Sequence, residues 1–213
     1  MPVKNLARAK ARLAPDFDAA RRAALARALL SDALGLCSAV PWLQWWVVTD
    51  DDEAGKAADR SGLSVHPDAG RGLNAALRAA LGAVAEAGAS SATIVSADVP
   101  LARSEDIRDI VDTGATSDVV VVPSRAGGGT NALHLSPPRA LEPCFGPASL
   151  RAHVDAADRR GLRCSILPLA RLALDVDTAT DAGDLLTIDD RRVSHAARYL
   201  SRLEDDWLPA SPV

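Results

Sequence analysis

Short apolar runs alternate along this chain with longer helix-patterned stretches, and several of the runs stop at an aspartate. Residues 45–49 lead into Asp50, residues 92–97 into Asp98, and residues 172–174 into Asp175. Strands alternating with helices of this length form an α/β sheet, mostly parallel and covered on both faces. In open sheets of this class, ligands bind at the carboxyl ends of the strands. The strand-end acids are therefore the first candidates for chemistry.

The pattern predicts helices over residues 16–39, 53–61, 73–87, 104–112 and about 149–160. It predicts strands over 45–49, 63–66, 92–97, 119–122, 130–135, 164–167 and 172–176. Residues 1–190 read as one domain, and residues 191–213 as a helical tail, a peripheral helix followed by a frayed end. No internal repeat or low-complexity linker interrupts this order.

A net charge of −4 argues against a general nucleic-acid surface. The apolar runs fall short of a membrane span and no leader pattern opens the chain, so a cytoplasmic protein is expected. Three widely spaced cysteines, Cys37, Cys144 and Cys164, suit small core residues better than a disulfide framework or zinc site. The charge is unevenly spread. Lys4, Arg8, Lys10 and Arg12 crowd the N-terminal loop with no acid among them. Such a loop is either a solvated charged segment or a cradle whose point charges neutralise a triphosphate.

Asp98 and Asp175, at strand ends over one crevice, could hold magnesium, which accepts few protein ligands and fills its shell with phosphate oxygens and water. The bland alternative for either is a turn or helix cap. Alternation puts Asp175 and Asp177 on one face. Asp177 begins a helix-start pattern, so it is assigned the cap and Asp175 the metal. "DAGRGLNAAL" sets Gly72 and Asn74 at a helix start that could bind an anion or present an amide to a base edge. "FGPASLRAH" repeats that design with Gly146 and Ser149. His134 and His153 read as structural. No nucleophile–histidine pair or acid–base dyad is evident, which fits nucleotidyl transfer to an already ionised phosphate.

One loop asks for more explanation. Gly127-Gly128-Gly129 separates the run at 119–122 from Thr130, although a hairpin can close with two residues. Either the glycines shape a bulge, or they let the backbone approach a small anion where a Cβ would intrude.

Six segments in order, "PVKNLARAKARLA", "GLNAAL", "SADVPL", "GGGTNALHLSPP", "CFGPASLRAH" and "LALDVDTATDAGDL", span residues 2–186. Together they resemble the guanylyltransferases that activate a phosphorylated three-carbon acid in coenzyme F-420 biosynthesis. The resemblance implies a Rossmann-like, glycosyltransferase-A-like three-layer sandwich with a mixed sheet. It implies GTP and Mg2+, with 2-phospho-L-lactate, phosphoenolpyruvate or 3-phospho-D-glycerate as the small phosphorylated acid. Carried over by position, Asp98 and Asp175 hold the metal. Thr130, Gly146 and Ser149 contact the acid. Lys4, Lys10 and Arg12 lie along the GTP phosphates, and Gly72 and Asn74 in the nucleotide pocket. Trp42, Trp45 and Trp46, close together, are either an interface or simply core, and with the resemblance the expectation leans to a homodimer.

In one respect the chain departs from that family. Its members open with a hydrophobic strand ahead of the P-V-K segment, whereas only Met1, Pro2 and Val3 precede Lys4 here. A central strand lost in this way costs burial and ladder hydrogen bonds, so the expectation is a start assigned too late. The alternatives are a nucleotidyltransferase of other specificity, of molybdenum-cofactor or sugar-phosphate type, and a nucleotide-binding homologue without catalysis.

Overall fold

The computed structural model describes residues 1–68, 70, 72–125 and 127–203. Among them the strands are β1 (Trp46–Thr49), β2 (Ser64–Pro67), β3 (Ala92–Val95), β4 (Val119–Pro123), β5 (Thr130–Leu135) and β6 (Cys164–Ile166). The helices are α1 (Ala19–Ala39), α2 (Asp52–Arg60), α3 (Leu73–Glu86), α4 (Ser104–Gly114), α5 (Ser149–Arg159), α6 (Ala170–Ala173), α7 (Ala179–Ile188) and α8 (His195–Ser201). The α/β alternation read from the sequence is present. None of these helices is long and apolar enough to cross a membrane.

The main ladder runs β3-β5-β4-β6, with β5 antiparallel to both neighbours and β6 parallel to β4. Val119, Val120, Val121 and Val122 are all fully buried, because helices cover both faces of this ladder. On one face Val95, Val122 and Ala132 pack with Ile107 and Ile110 of α4. On the other, Ile94, Val121 and Leu133 pack with Leu77 of α3 and Ala157 of α5. Strand alternation thus feeds two cores from one sheet.

A second, two-stranded parallel ladder joins β1 to β2. It does not pair with the first. Met1 to Val3 supplies three rungs along the free edge of β1. The Met1 amino group donates to the Trp46 carbonyl (2.7 Å), Val48 N–H to the Met1 carbonyl (2.9 Å), and Val3 N–H to the Val48 carbonyl (2.9 Å). Beyond Met1 lies a cavity of about 420 Å³ between β1 and β3, lined by Trp46 and Val48 on one side and Thr93 and Ile94 on the other. Ser96 N–H bonds to Asn131, so alternation turns the backbone polar groups of Thr93 and Val95 away from β5 and toward this gap.

Three local expectations are corrected. Residues 172–176 are not a strand: Ala170–Ala173 forms a helical turn, and the extended stretch at 174–177 beyond it donates one backbone–backbone bond, Val176 N–H to the Asp98 carbonyl (3.1 Å). Asp177 is not the cap of α7. Thr178 is, in a capping box in which its hydroxyl accepts from Asp181 N–H and the Asp181 carboxylate accepts from Thr178 N–H. The helix after residue 191 is not peripheral either: Ala196, Ala197 and Leu200 of α8 are fully buried with Leu25 and Leu29 of α1 and Leu185 of α7. Helix α1 accordingly buries two faces, the other being Ala26, Leu30 and Ala33. The acidic run at 204–206 and the expected frayed end lie outside the described residues.

The three cysteines are unpaired, and only Cys37 is buried. The tryptophans divide. Trp45 is buried, its indole N–H donating to the Val40 carbonyl (3.2 Å), while Trp42 is exposed beneath the Arg108 guanidinium, 5.0 Å from the ring.

Candidate active site

The N-terminal loop is fastened at its base by Asp51. One carboxylate oxygen caps α2 through Ala54 N–H (2.9 Å) and the other accepts from Leu6 N–H (3.0 Å). Lys10 then adopts a left-handed backbone (φ 57°, ψ 39°), which is strained for a residue with a Cβ, and starts a short 3₁₀ turn over Ala11–Leu13. That conformation turns its side chain inward. The Lys10 ammonium, with its side chain only 7% exposed, lies 2.8 Å from Asp98 Oδ2 and 3.0 Å from Asp177 Oδ1. Arg12, itself exposed, reaches the other oxygen of Asp177 at 3.6 Å. Burial pulls the Lys10 pKa down, but Asp98 and Asp177 together outweigh it and hold the ammonium above its ordinary value. Asp98 mirrors this: burial raises its pKa, but Lys10, with a contribution from Lys4, brings it below the usual carboxylate range.

Asp175 joins the group through its neighbours. Val176 N–H on the Asp98 carbonyl ties the two segments together, and Asn131 Nδ2 donates to Asp175 Oδ1 (3.0 Å) and to the Leu172 and Ala173 carbonyls (2.9 and 3.1 Å). Burial first, then the charges of Asp98 and Asp177, pushes Asp175 upward against the opposing Asn131 bond. Lys10 occupies one oxygen of Asp98 and Asn131 one of Asp175. Among the described residues no group of three or more His, Cys, Asp or Glu could hold a metal by itself. A pair of carboxylates nevertheless suits magnesium, whose remaining positions go to phosphate and water. The accumulated negative charge around Asp175 is what a cation would relieve.

The second cluster gathers Thr130, Gly146 and Ser149. Thr130 opens β5 and is buried, with His153 Nδ1 3.1 Å from its hydroxyl. Ser149 opens α5 behind Ala148, which is also left-handed (φ 57°) and provides no side-chain cap. The Ser149 hydroxyl makes no hydrogen bond to a described residue. Two of the helix-start N–H groups are already spent, Ser149 N–H on the Gly146 carbonyl and Leu150 N–H on the Gly128 carbonyl (both 3.1 Å). Gly146 takes φ 138°, where a side chain would be strained. Asn74 spends both ends of its amide on Phe145, donating to the carbonyl (2.9 Å) and accepting from the N–H (2.8 Å). It therefore links α3 to the loop before α5, while Gly72 sits at the N-cap of α3 with φ 88°.

The glycine loop has local causes. Gly127 is left-handed (φ 78°), Gly128 offers its carbonyl to α5, and a Cβ on Gly129 would meet Ser124 Oγ at 2.6 Å. The ladder also shifts register at Val122/Pro123, which is the bulge reading of the sequence. Two residues that the sequence reading passed over, Asn131 and Asp51, prove to hold the site together. Thr130 and Asn131 are consecutive on β5, so this strand supplies one residue to each cluster.

Known proteins resemble the chain along most of its length. The profile of the family described as "Guanylyl transferase CofC like" matches residues 1–209. The chain belongs to the CofC-like guanylyltransferase family. Among curated members it is 34% identical over 205 residues to the 2-phospho-L-lactate guanylyltransferase of Methanothermobacter thermautotrophicus, covering 95% of this chain and 89% of that protein. It is 34% identical over 182 residues to the phosphoenolpyruvate guanylyltransferase of Chloroflexus aggregans (83% and 90% covered). It is also 34% identical over 204 residues to the 3-phospho-D-glycerate guanylyltransferase of Phenylobacterium zucineum (93% of each). Among solved structures, a nucleotide-diphospho-sugar transferase of Desulfovibrio desulfuricans superposes with TM-score 0.78 at 18% identity, over 96% of this chain and 93% of that one. A cytidylyltransferase of Leptospira borgpetersenii gives TM-score 0.55 at 14% identity, over 84% and 83%. At such identities the likeness is one of fold alone, that of nucleotidyltransferase-type proteins.

Proposed function

We propose that this CofC-like protein transfers GMP from GTP to the phosphate of a phosphorylated three-carbon acid, releasing pyrophosphate, as a step of coenzyme F-420 biosynthesis. The observation that carries the reading is the Lys10 bridge between Asp98 and Asp177 beside Asp175, which sets cation and carboxylates together at the strand ends. A phosphate oxygen of the acceptor forms a new bond to the α-phosphorus of GTP, and the bond from that phosphorus to the β-phosphate oxygen breaks. The attacking phosphate is ionised at neutral pH, so no general base is required. Asp98 and Asp175 would hold magnesium, which supplies charge neutralisation on the phosphates.

The chain's own residues do the rest. Lys10 keeps Asp98 ionised and fixed, and Lys4 and Arg12 border the same cluster for the triphosphate. Thr130, Ser149 and the Gly146 backbone form the acceptor pocket. The acceptors named for the relatives all carry a phosphate and a carboxylate on three carbons, so the pocket needs donors rather than volume.

The test is pyrophosphate release with magnesium and GTP, offering 2-phospho-L-lactate, phosphoenolpyruvate and 3-phospho-D-glycerate separately, with ATP as the nucleotide control. Turnover with GTP and one of the acids is expected. A folded protein that turns over none of them, or that prefers ATP, would sink the reading.

A further inference from the structure

His153 lies between the pieces of the acceptor pocket, and its hydrogen bonds determine its tautomer. Cys144 N–H, which can only donate, points at Nε2 from 2.9 Å. Nε2 must therefore carry a lone pair, and the neutral ring bears its proton on Nδ1. Nδ1 faces Thr130 Oγ1 at 3.1 Å, so the imidazole donates and the threonine oxygen accepts. Thr130 makes no other side-chain hydrogen bond to a described residue, so its own hydroxyl proton is left to donate elsewhere. The ring is completely buried, with the Phe145 ring edge-on at 5.2 Å, and burial lowers its pKa to about 4. The neutral tautomer is thus the resting form.

We infer that His153 is a positioning residue that fixes the Thr130 hydroxyl as a hydrogen-bond donor toward the anionic acceptor. A free threonine hydroxyl rotates between donating and accepting. Held by Nδ1–H, it faces the pocket as a donor, the polarity that a carboxylate or phosphate needs. The same ring ties the pocket together. It stands four residues after Ser149, on the same face of α5. It also anchors the Cys144–Phe145 segment that leads to Gly146, whose Phe145 peptide is clamped from the other side by Asn74. The inference rests on the reading of Thr130 as an acceptor contact.

Two substitutions separate positioning from packing. His153→Asn places an amide N–H where Nδ1 was, keeping the donor to Thr130 and losing the acceptor for Cys144. His153→Gln does the reverse. With phosphoenolpyruvate, 2-phospho-L-lactate and 3-phospho-D-glycerate each titrated at saturating GTP, His153→Gln should raise the KM of the acid that turns over roughly ten- to a hundredfold. His153→Asn should stay near the wild-type value, and the KM for GTP should not move in either. Thr130→Val should raise the acceptor KM as His153→Gln does, with the double variant no worse than either single one. Equal effects of the two His153 variants, or a change only in melting temperature, would overturn the inference. Should His153→Gln fail to fold, Thr130→Val alone and combined with His153→Asn decides. The inference then predicts a rise in acceptor KM set by Thr130→Val, unchanged by adding His153→Asn, and additive losses would overturn it. A rise with Thr130→Val but not with a folded His153→Gln removes the inference and leaves the pocket. No rise with Thr130→Val in an active enzyme removes both.

Discussion

Lys10 and Asp98 stand 88 residues apart in the chain, yet the ammonium and carboxylate meet at 2.8 Å across the mouth of the candidate site. The contact needs a left-handed lysine on one side and a strand end on the other. It joins the N-terminal loop to the main ladder.

Replacing Lys10 by methionine should cost guanylyl transfer about a hundredfold or more, since a preorganised cation is removed from beside the phosphates. Stability should fall by about 1–3 kcal/mol, because Asp98 and Asp177 lose a charged partner. Asp98, with its pKa depressed, contributes stability above the unfolded value of 3.8 and loses it only as pH falls through the lower folded value. Lys10, raised, contributes below 10.5 and loses it only at higher pH. The pair's contribution to wild-type stability should therefore be flat across neutral pH in urea titrations. In the variant burial is the largest influence left on Asp98, so the loss should shrink as pH falls and that carboxylate takes a proton. A loss that grows as pH falls would contradict the pairing.

Asp175→Asn should have opposite effects on fold and activity. The folded protein penalises the ionised form, so removing the charge should raise the melting temperature while abolishing magnesium-dependent turnover. A variant that melts lower and keeps its activity would show Asp175 to be structural.

His153 gives an acid limb. Its pKa is 6.5 when unfolded and about 4 when folded, so between those values the unfolded chain binds the proton and the folded protein does not. Stability from this group is complete above pH 6.5 and declines toward pH 4, by on the order of 3 kcal/mol. In His153→Asn that part of the decline should vanish from a series of denaturant melts, and an unchanged acid limb would refute the shift.

The glycine loop separates two roles position by position. Gly127→Ala should cost about 1 kcal/mol for its left-handed backbone. Gly129→Ala should cost about 1–3 kcal/mol through the Ser124 clash. Gly128→Ala meets nothing within 4 Å and should leave stability within about 0.5 kcal/mol of wild type. If an anion approaches this backbone, Gly128→Ala will still raise the acceptor KM. An unchanged KM would confine the glycines to shaping the turn.

Most of the element order was legible because apolar runs and caps are local signals. Val119 to Val122 could only be a strand buried on both faces, and Asp98 could only follow one. Misreadings arose where two local signals competed. "LALDVD" alternates like a strand, but it has no second partner strand to complete a ladder. Thr178 with Asp181 is a capping box that outcompetes Asp177, and this was readable from the spacing. The roles of Asn131, Asp51 and His153 were not readable, because each depends on partners 44, 45 and 23 residues away. A buried amide or imidazole carries no periodic mark. Helix α8 hid its packing for the same reason: its small buried face matches a groove on α1 that only tertiary contact creates.

The seam between the two ladders has a dynamic consequence. β1, β2 and the loop carrying Lys10 hang together on one side, and β3 to β6 with Asp98 on the other, joined by packing rather than by a continuous sheet. Such halves should open as separate cooperative units. In hydrogen–deuterium exchange the amides of Thr93 and Val95, which face the seam, should lose protection well before those of Val120 and Val121. Each such opening would also pull Lys10 from Asp98, making that ion pair a reporter of whether the two halves are closed.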